Sequence, residues 1–172
     1  VEEITKKLLP EVGKLIQAFA QKSSEWKEVI KIGRTHLQDA VPITLGQEVS
    51  AWQDQISTAY SRIEGALREL YSLPLGGTAV GTGLNAPKNF DIEITAEISK
   101  LTGLPFKPAS NKFAIMASHD GLVNTMSQLR LLAVALLKIV NDIRLLSCGP
   151  RAGLAELELP ANEPGSSIMP GK

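Results

Sequence analysis

Aromatic residues make up only 5% of this 172-residue sequence, and cysteine occurs once. So few aromatics leave little material for the stacking platforms that hold single-stranded bases. The lone Cys148 cannot close an internal disulfide, which fits a reducing compartment, and a small packed side chain is the expectation for it. An excess of charge is also missing, because 18 Lys and Arg balance 18 Asp and Glu. At zero formal net charge there is no electrostatic case for a nucleic-acid or anionic-membrane partner. The most apolar stretch, Leu131 to Val140, is interrupted by Lys138 and is too short to span a bilayer. No His/Cys cluster has metal-ligand spacing, and no alternating strand pattern runs beyond a few residues. The opening Val1-Glu2-Glu3-Ile4 reads as neither signal nor transit peptide. It starts directly in an amphipathic pattern, and the chain stops inside a loop motif, so a piece of a longer protein is expected.

What is present is ordinary for one soluble domain spanning 1–172: 44% hydrophobic and 21% charged residues, enough for a real core. The dominant pattern is long helix. From Leu45 to Leu70 the apolar positions Leu45, Val49, Trp52, Ile56, Ala59, Ile63, Ala66 and Leu70 alternate steps of three and four, which keeps one face against neighbouring helices. Thr44 and Gln47 form a capping-box pattern at its start, and Pro42 discourages helix upstream. From Ser118 to Ser147 apolar residues cover almost the whole circumference, as in a helix buried on nearly all sides. One short chain has little to cover it with, so the spacing predicts a multi-subunit helical core. Further helices are predicted over 2–31, kinked at Pro10, and over 91–102, ending at Gly103. Segments 33–43, 73–90, 103–112 and 148–172 read as connections. The expected fold is all-α, a long-helix bundle.

Three segments carry candidate chemistry. Thr35-His36 lies in a polar stretch between two helices, where an imidazole can exchange protons with substrate; a loop histidine that merely hydrogen-bonds is the commoner case. His119, between Ser118 and Asp120, is accounted for by a role at a helix start. Gly76 to Asn85 resembles an anion cradle but lacks a following Gly-Lys-Ser/Thr and a preceding strand, so it is no nucleotide loop. Tight turns explain its glycines, and threonine hydroxyls facing a small carboxylate are the alternative. Gly165-Ser166-Ser167-Ile168-Met169-Pro170-Gly171-Lys172 joins two hydroxyls to a fixed positive charge in a turn-rich loop. A serine becomes a base only where its alkoxide is stabilised by amides or cations and shielded from water.

Gly33 to Ala40, Gly77 to Asn85 and Gly165 to Lys172 occur in order and resemble three signature regions of the fumarase/aspartase superfamily. Asn111-Lys112-Phe113, Ser118-His119-Asp120 and Asn162-Glu163-Pro164 make the resemblance strongest to its class II, iron-independent fumarate hydratases, with aspartate ammonia-lyases as the nearest alternative. The resemblance implies part of the central helical domain of a homotetramer whose active sites combine loops from three subunits. It implies a lyase acting on fumarate and malate without metal or cofactor, in the cytoplasm or mitochondrial matrix. Ser166 is then the catalytic base, His36 handles a proton, and Thr35, Ser167 and Lys172 bind substrate. Other substrate-binding segments of the family would lie before Val1 and after Lys172, so residues 1–172 alone are expected to be barely active or inactive. A non-catalytic helical assembly module is the reading that uses the apolar stripes and not the loops.

Overall fold

A computed structural model describes residues 1–161 and 165. The chain divides into two compact units, Val1–Ala133 and Val134–Lys172. In the first, a π-helical turn at Ile4–Leu8 leads into helix α1, Leu9–Glu25. Strands β1 (Ile30–Thr35) and β2 (Gln38–Thr44) follow, then the long helix α2, Leu45–Leu70. Strand β3 is Ser72–Leu73, helix α3 is Phe90–Thr102, strand β4 is Lys107–Pro108 and helix α4 is Lys112–Ala117. Helix α5, Asp120–Leu146, runs on into the second unit.

The long helix forms where its stripe and cap place it. The Thr44 hydroxyl accepts from the Gln47 amide at 3.1 Å, and the Gln47 side chain accepts from the Thr44 amide at 2.9 Å. Two N-terminal donors are thereby satisfied reciprocally. The 26 residues of α2 rise ~39 Å. Val49, Trp52, Ile56, Ala59, Ile63 and Ala66 are all buried along one side. Helix α1 packs on that side through Leu9 and Val12, and Phe19 meets Trp52 edge-on at 6.1 Å. The approach is closest at Gly46. A Cβ there would lie 2.4 Å from the Ser23 carbonyl oxygen and 2.8 Å from the Lys27 Cα. Only a residue without a side chain lets the two backbones meet, and the Ser23 hydroxyl uses the gap to donate to the Gly46 carbonyl at 2.9 Å.

The fold is mostly helical, which roughly supports the all-α expectation, but it also carries small sheets: residues 30–44 form an antiparallel hairpin. The helix predicted over 2–31 ends at Glu25, and just before Pro10 the backbone takes the π-helical turn Ile4–Leu8, because proline has no amide to offer the preceding turn. The hairpin was illegible because its alternation is broken. The register shifts between Ile32 and Arg34, and at Gly33 a Cβ would lie 2.8 Å from the Val41 carbonyl oxygen. Such a bulge puts two residues opposite one and destroys period-two patterning. The parallel pair β3–β4 is too short to leave any pattern. Helix α3 does end at Gly103, which takes a left-handed φ of 70°.

In the second unit, Ile139 and Leu146 are buried, and the chain turns back after α5, where the Glu156 and Leu157 amides donate to the Leu146 carbonyl at 2.8 and 3.1 Å. Cys148 is exposed, not packed as expected, and its sulfur accepts from the Leu154 amide at 3.4 Å. Among the described residues no helix is long and apolar enough to cross a membrane. Gly46→Ala will lower stability by roughly 1–3 kcal/mol or more, because neither clashing backbone can yield. Thr44→Ala, which only uncaps α2, will cost about 1 kcal/mol. Urea unfolding of the two variants measures both effects, and equal midpoints would contradict the close-approach argument.

Candidate active site

Thr35 and His36 stand at the tip of the hairpin. Thr35 pairs with Gln38, so His36 and Leu37 alone make the turn, with φ of 51° and 62°. Positive φ at both central residues defines a type I′ turn, whose twist matches the flanking strands and which normally takes Asn-Gly. Here a histidine and a leucine occupy it. Left-handed backbone costs an ordinary L-residue about 1–2 kcal/mol, and such strain persists where the surroundings impose it and clusters at functional sites. Both Thr35 and His36 are exposed, and neither side chain hydrogen-bonds to another described residue. The tip presents them outward. Its base is anchored, because the nearly buried ammonium of Lys31 pairs with the Glu48 carboxylate in the first turn of α2. Arg34 faces the exposed Asp39 across the hairpin at 3.9 Å.

The glycine segment forms a second exposed element in the same unit. Gly76, Gly81 and Gly83 have φ of 80°, 106° and 73°, and the Gly77 carbonyl accepts from the Gly81 and Gly83 amides at 2.9 and 3.1 Å. Beneath it, Lys112 Nζ pairs with Asp91 Oδ2 at 2.6 Å, tying α4 to the start of α3. The hydrogen bond from Lys112 holds the Asp91 carboxyl below the usual aspartate range, against partial desolvation that pulls it upward. Within Asn111-Lys112-Phe113, Asn111 caps α4 by accepting from the Ala114 amide at 3.0 Å.

His119 is exposed at the start of α5, where its carbonyl accepts the first helical bond, from Val123 at 3.0 Å. The side chain that serves this terminus is Ser118, whose hydroxyl accepts from the Asp120 amide at 3.3 Å. His119 also rims an open groove of about 890 Å³ with an apolar floor that includes Leu73, Phe106 and Ile115. No hydrogen bond among the described residues joins the hairpin tip to the glycine segment or to His119. The remaining candidates, Ser166, Ser167 and Lys172, lie outside the described residues, as does Asn162-Glu163-Pro164. Among the described residues no group of three His, Cys, Asp or Glu side chains could hold a metal ion. The sequence did not reveal the Asp91–Lys112 pair, whose members are 21 residues apart, or the strain at the tip.

Because the folded Asp91 carboxyl is depressed, the pair stabilises the unit above the unfolded aspartate range, and that stability is lost as pH falls toward the folded value. Asp91→Asn will remove this part of the acid dependence, seen as a flatter melting temperature between neutral and mildly acidic pH. Leu37→Gly will leave thermal stability unchanged or raise it by up to about 1 kcal/mol, because it relieves the turn. A clear loss in calorimetry would disprove the strain.

Comparison with known proteins follows the whole sequence. Residues 1–172 match a protein family described as Lyase. A class II fumarate hydratase of Prochlorococcus marinus (strain MIT 9313) is 72% identical over 172 residues, covering 100% of this chain and 37% of that protein. The mitochondrial fumarate hydratase of Dictyostelium discoideum is 56% identical over 169 residues, covering 98% of this chain and 35% of that protein. The crystal structure of a class II fumarase from Schistosoma mansoni superposes with a TM-score of 0.94 at 46% identity, over 99% of this chain and 39% of that one. The chain thus spans about 37% of the length of the first of these relatives. A family match from the first residue to the last, with the same backbone in a solved structure, means that this chain belongs to the Lyase family and has class II fumarate hydratases as its relatives.

Proposed function

We propose that a polypeptide of the relatives' full length carrying this chain is a class II fumarate hydratase, which reversibly hydrates fumarate to (S)-malate. The observation that carries this reading is 72% identity over all 172 residues with a protein of that name. The strained, outward-facing His36 supports it, since the fold itself gains nothing from a histidine there.

In the malate-to-fumarate direction, Ser166 acts as the base and takes the proton from the carbon next to one carboxylate. The electron pair left behind delocalises into that carboxylate, giving an aci-carboxylate with an added negative charge. Lys172 pairs with that charge as it develops, which is where a preorganised cation contributes most. The hydroxyl on the adjacent carbon then leaves as water, taking the proton managed by His36, and the double bond forms. Thr35 binds substrate beside His36, and Ser167 contacts it through its backbone or hydroxyl. The reading calls for no metal and no cofactor.

The same proposal covers assembly. The two units belong to one helical domain, 1–172, within a homotetramer whose sites are shared between subunits. Supporting it, Leu122, Val123, Met126, Val134, Leu137 and Val140 of α5 are 56–67% exposed in the single chain. So much apolar surface on one helix is out of place on a monomer in water. An enzyme of this kind would work in the cytoplasm or the mitochondrial matrix; the relatives include bacterial and mitochondrial fumarate hydratases.

Ser166→Ala in the full-length polypeptide will lower kcat for malate dehydration by roughly 10²–10⁴-fold with the assembly intact. Unchanged turnover would remove Ser166 from the mechanism, and ammonia release from aspartate in place of malate dehydration would reassign the enzyme. Leu137→Asp will shift the protein from a tetramer to smaller species in sedimentation, because a carboxylate cannot be buried there unpaired. A Leu137→Asp variant that still sediments as a tetramer would exclude α5 from the interface.

A further inference from the structure

Thr78 is a β-branched residue with a φ of 56°, exposed on the glycine segment. A β-branched side chain in this region is a conformational outlier, where glycine or asparagine would sit with less strain. The surroundings hold the strain in place. Added Cβ atoms would lie 2.9 Å from Asp91 Cβ at Gly76, 2.6 Å from Met116 Sδ at Gly77 and 2.8 Å from the Phe113 ring at Gly81. The segment is therefore seated directly on α4 and the start of α3, which the Asp91–Lys112 pair locks together. Yet the fold makes no use of the Thr78 side chain, which has no hydrogen-bond partner among the described residues.

The segment's chemistry selects a ligand class. Gly76 to Asn85 contains no charged residue, and the Thr78, Ala79 and Val80 amides are not taken up by backbone acceptors among the described residues. A hydroxyl and unclaimed N–H donors suit an anion with oxygen acceptors, since the segment has no carboxylate of its own and the Asp91 carboxylate beside Gly76 is paired with Lys112. We propose that Thr78 binds a carboxylate of the dicarboxylic substrate, in addition to the residues assigned above. This rests on the fumarate hydratase reading, and it explains why a strained threonine occupies a position where glycine would fold more easily.

The test uses Thr78→Val, Thr78→Gly and Thr78→Ser in the full-length polypeptide, with Ser166→Ala alongside. Removing the hydroxyl, in Thr78→Val and Thr78→Gly, will raise KM for malate tenfold or more, with a smaller change in kcat. Thr78→Ser will stay within threefold of the parent. Thr78→Gly will melt at the same temperature or higher, which a purely structural threonine predicts as well, but without the change in KM. Values of KM within twofold of the parent in both hydroxyl-less variants, while Ser166→Ala is inactive, would overturn this inference and leave the fumarate hydratase reading standing. An active Ser166→Ala variant would overturn both.

Discussion

The hairpin and the two helices beside it in the first unit depend on the meeting of α1 and α2 at Gly46. Bare backbone there lets the Ser23 hydroxyl reach the Gly46 carbonyl and brings the Gly46 amide within 3.0 Å of the Trp26 carbonyl. Two residues earlier, Thr44 ends strand β2 and caps α2 at once. Strand direction and helix direction are therefore joined through a single residue, with the Lys31–Glu48 pair bracing the same corner. A two-stranded hairpin alone is marginal in water. Fastened to a 26-residue helix, it becomes a rigid arm that can hold its tip in one place.

That rigidity explains how strained residues survive at exposed positions. His36 and Leu37 at the tip, and Thr78 on the glycine segment, all take left-handed φ without being glycine. Each lies on an irregular element clamped by well-packed ones: the bulged hairpin on α2, the glycine segment on α4 and α3. The division of labour is thermodynamic. Burial along α2 supplies stability, and a small part of it is given up where the backbone must hold polar groups outward.

Helix α5 makes the complementary point about apolar groups. Leu132, Ile139 and Leu146 are buried, whereas Leu122, Met126 and Leu137 are 59%, 67% and 63% exposed. The helix has more apolar surface than this chain can cover. Proposed site and proposed assembly thus share a logic, since the chain presents outward both the chemistry and the surface that a partner copy would complete.

Local chemistry was sufficient for much of this. The period of the α2 stripe, the Thr44–Gln47 box, the Gly103 cap and the all-round apolar α5 are properties of neighbouring residues and of helical geometry, so the sequence by itself determined them. The three motif segments were legible in the same way, because the residues of each stand close together along the chain. The hairpin escaped because the bulge at Gly33 breaks alternation, and Cys148 was misjudged because exposure depends on what lies across from a residue and not beside it. Only the tertiary structure decided that His36 sits at a strained two-residue turn, that Asp91 and Lys112 lock two helices together, and that glycines 76, 77 and 81 leave no room for a Cβ. Those facts depend on strand pairing and on contacts across the fold, which packing fixes and no local pattern encodes.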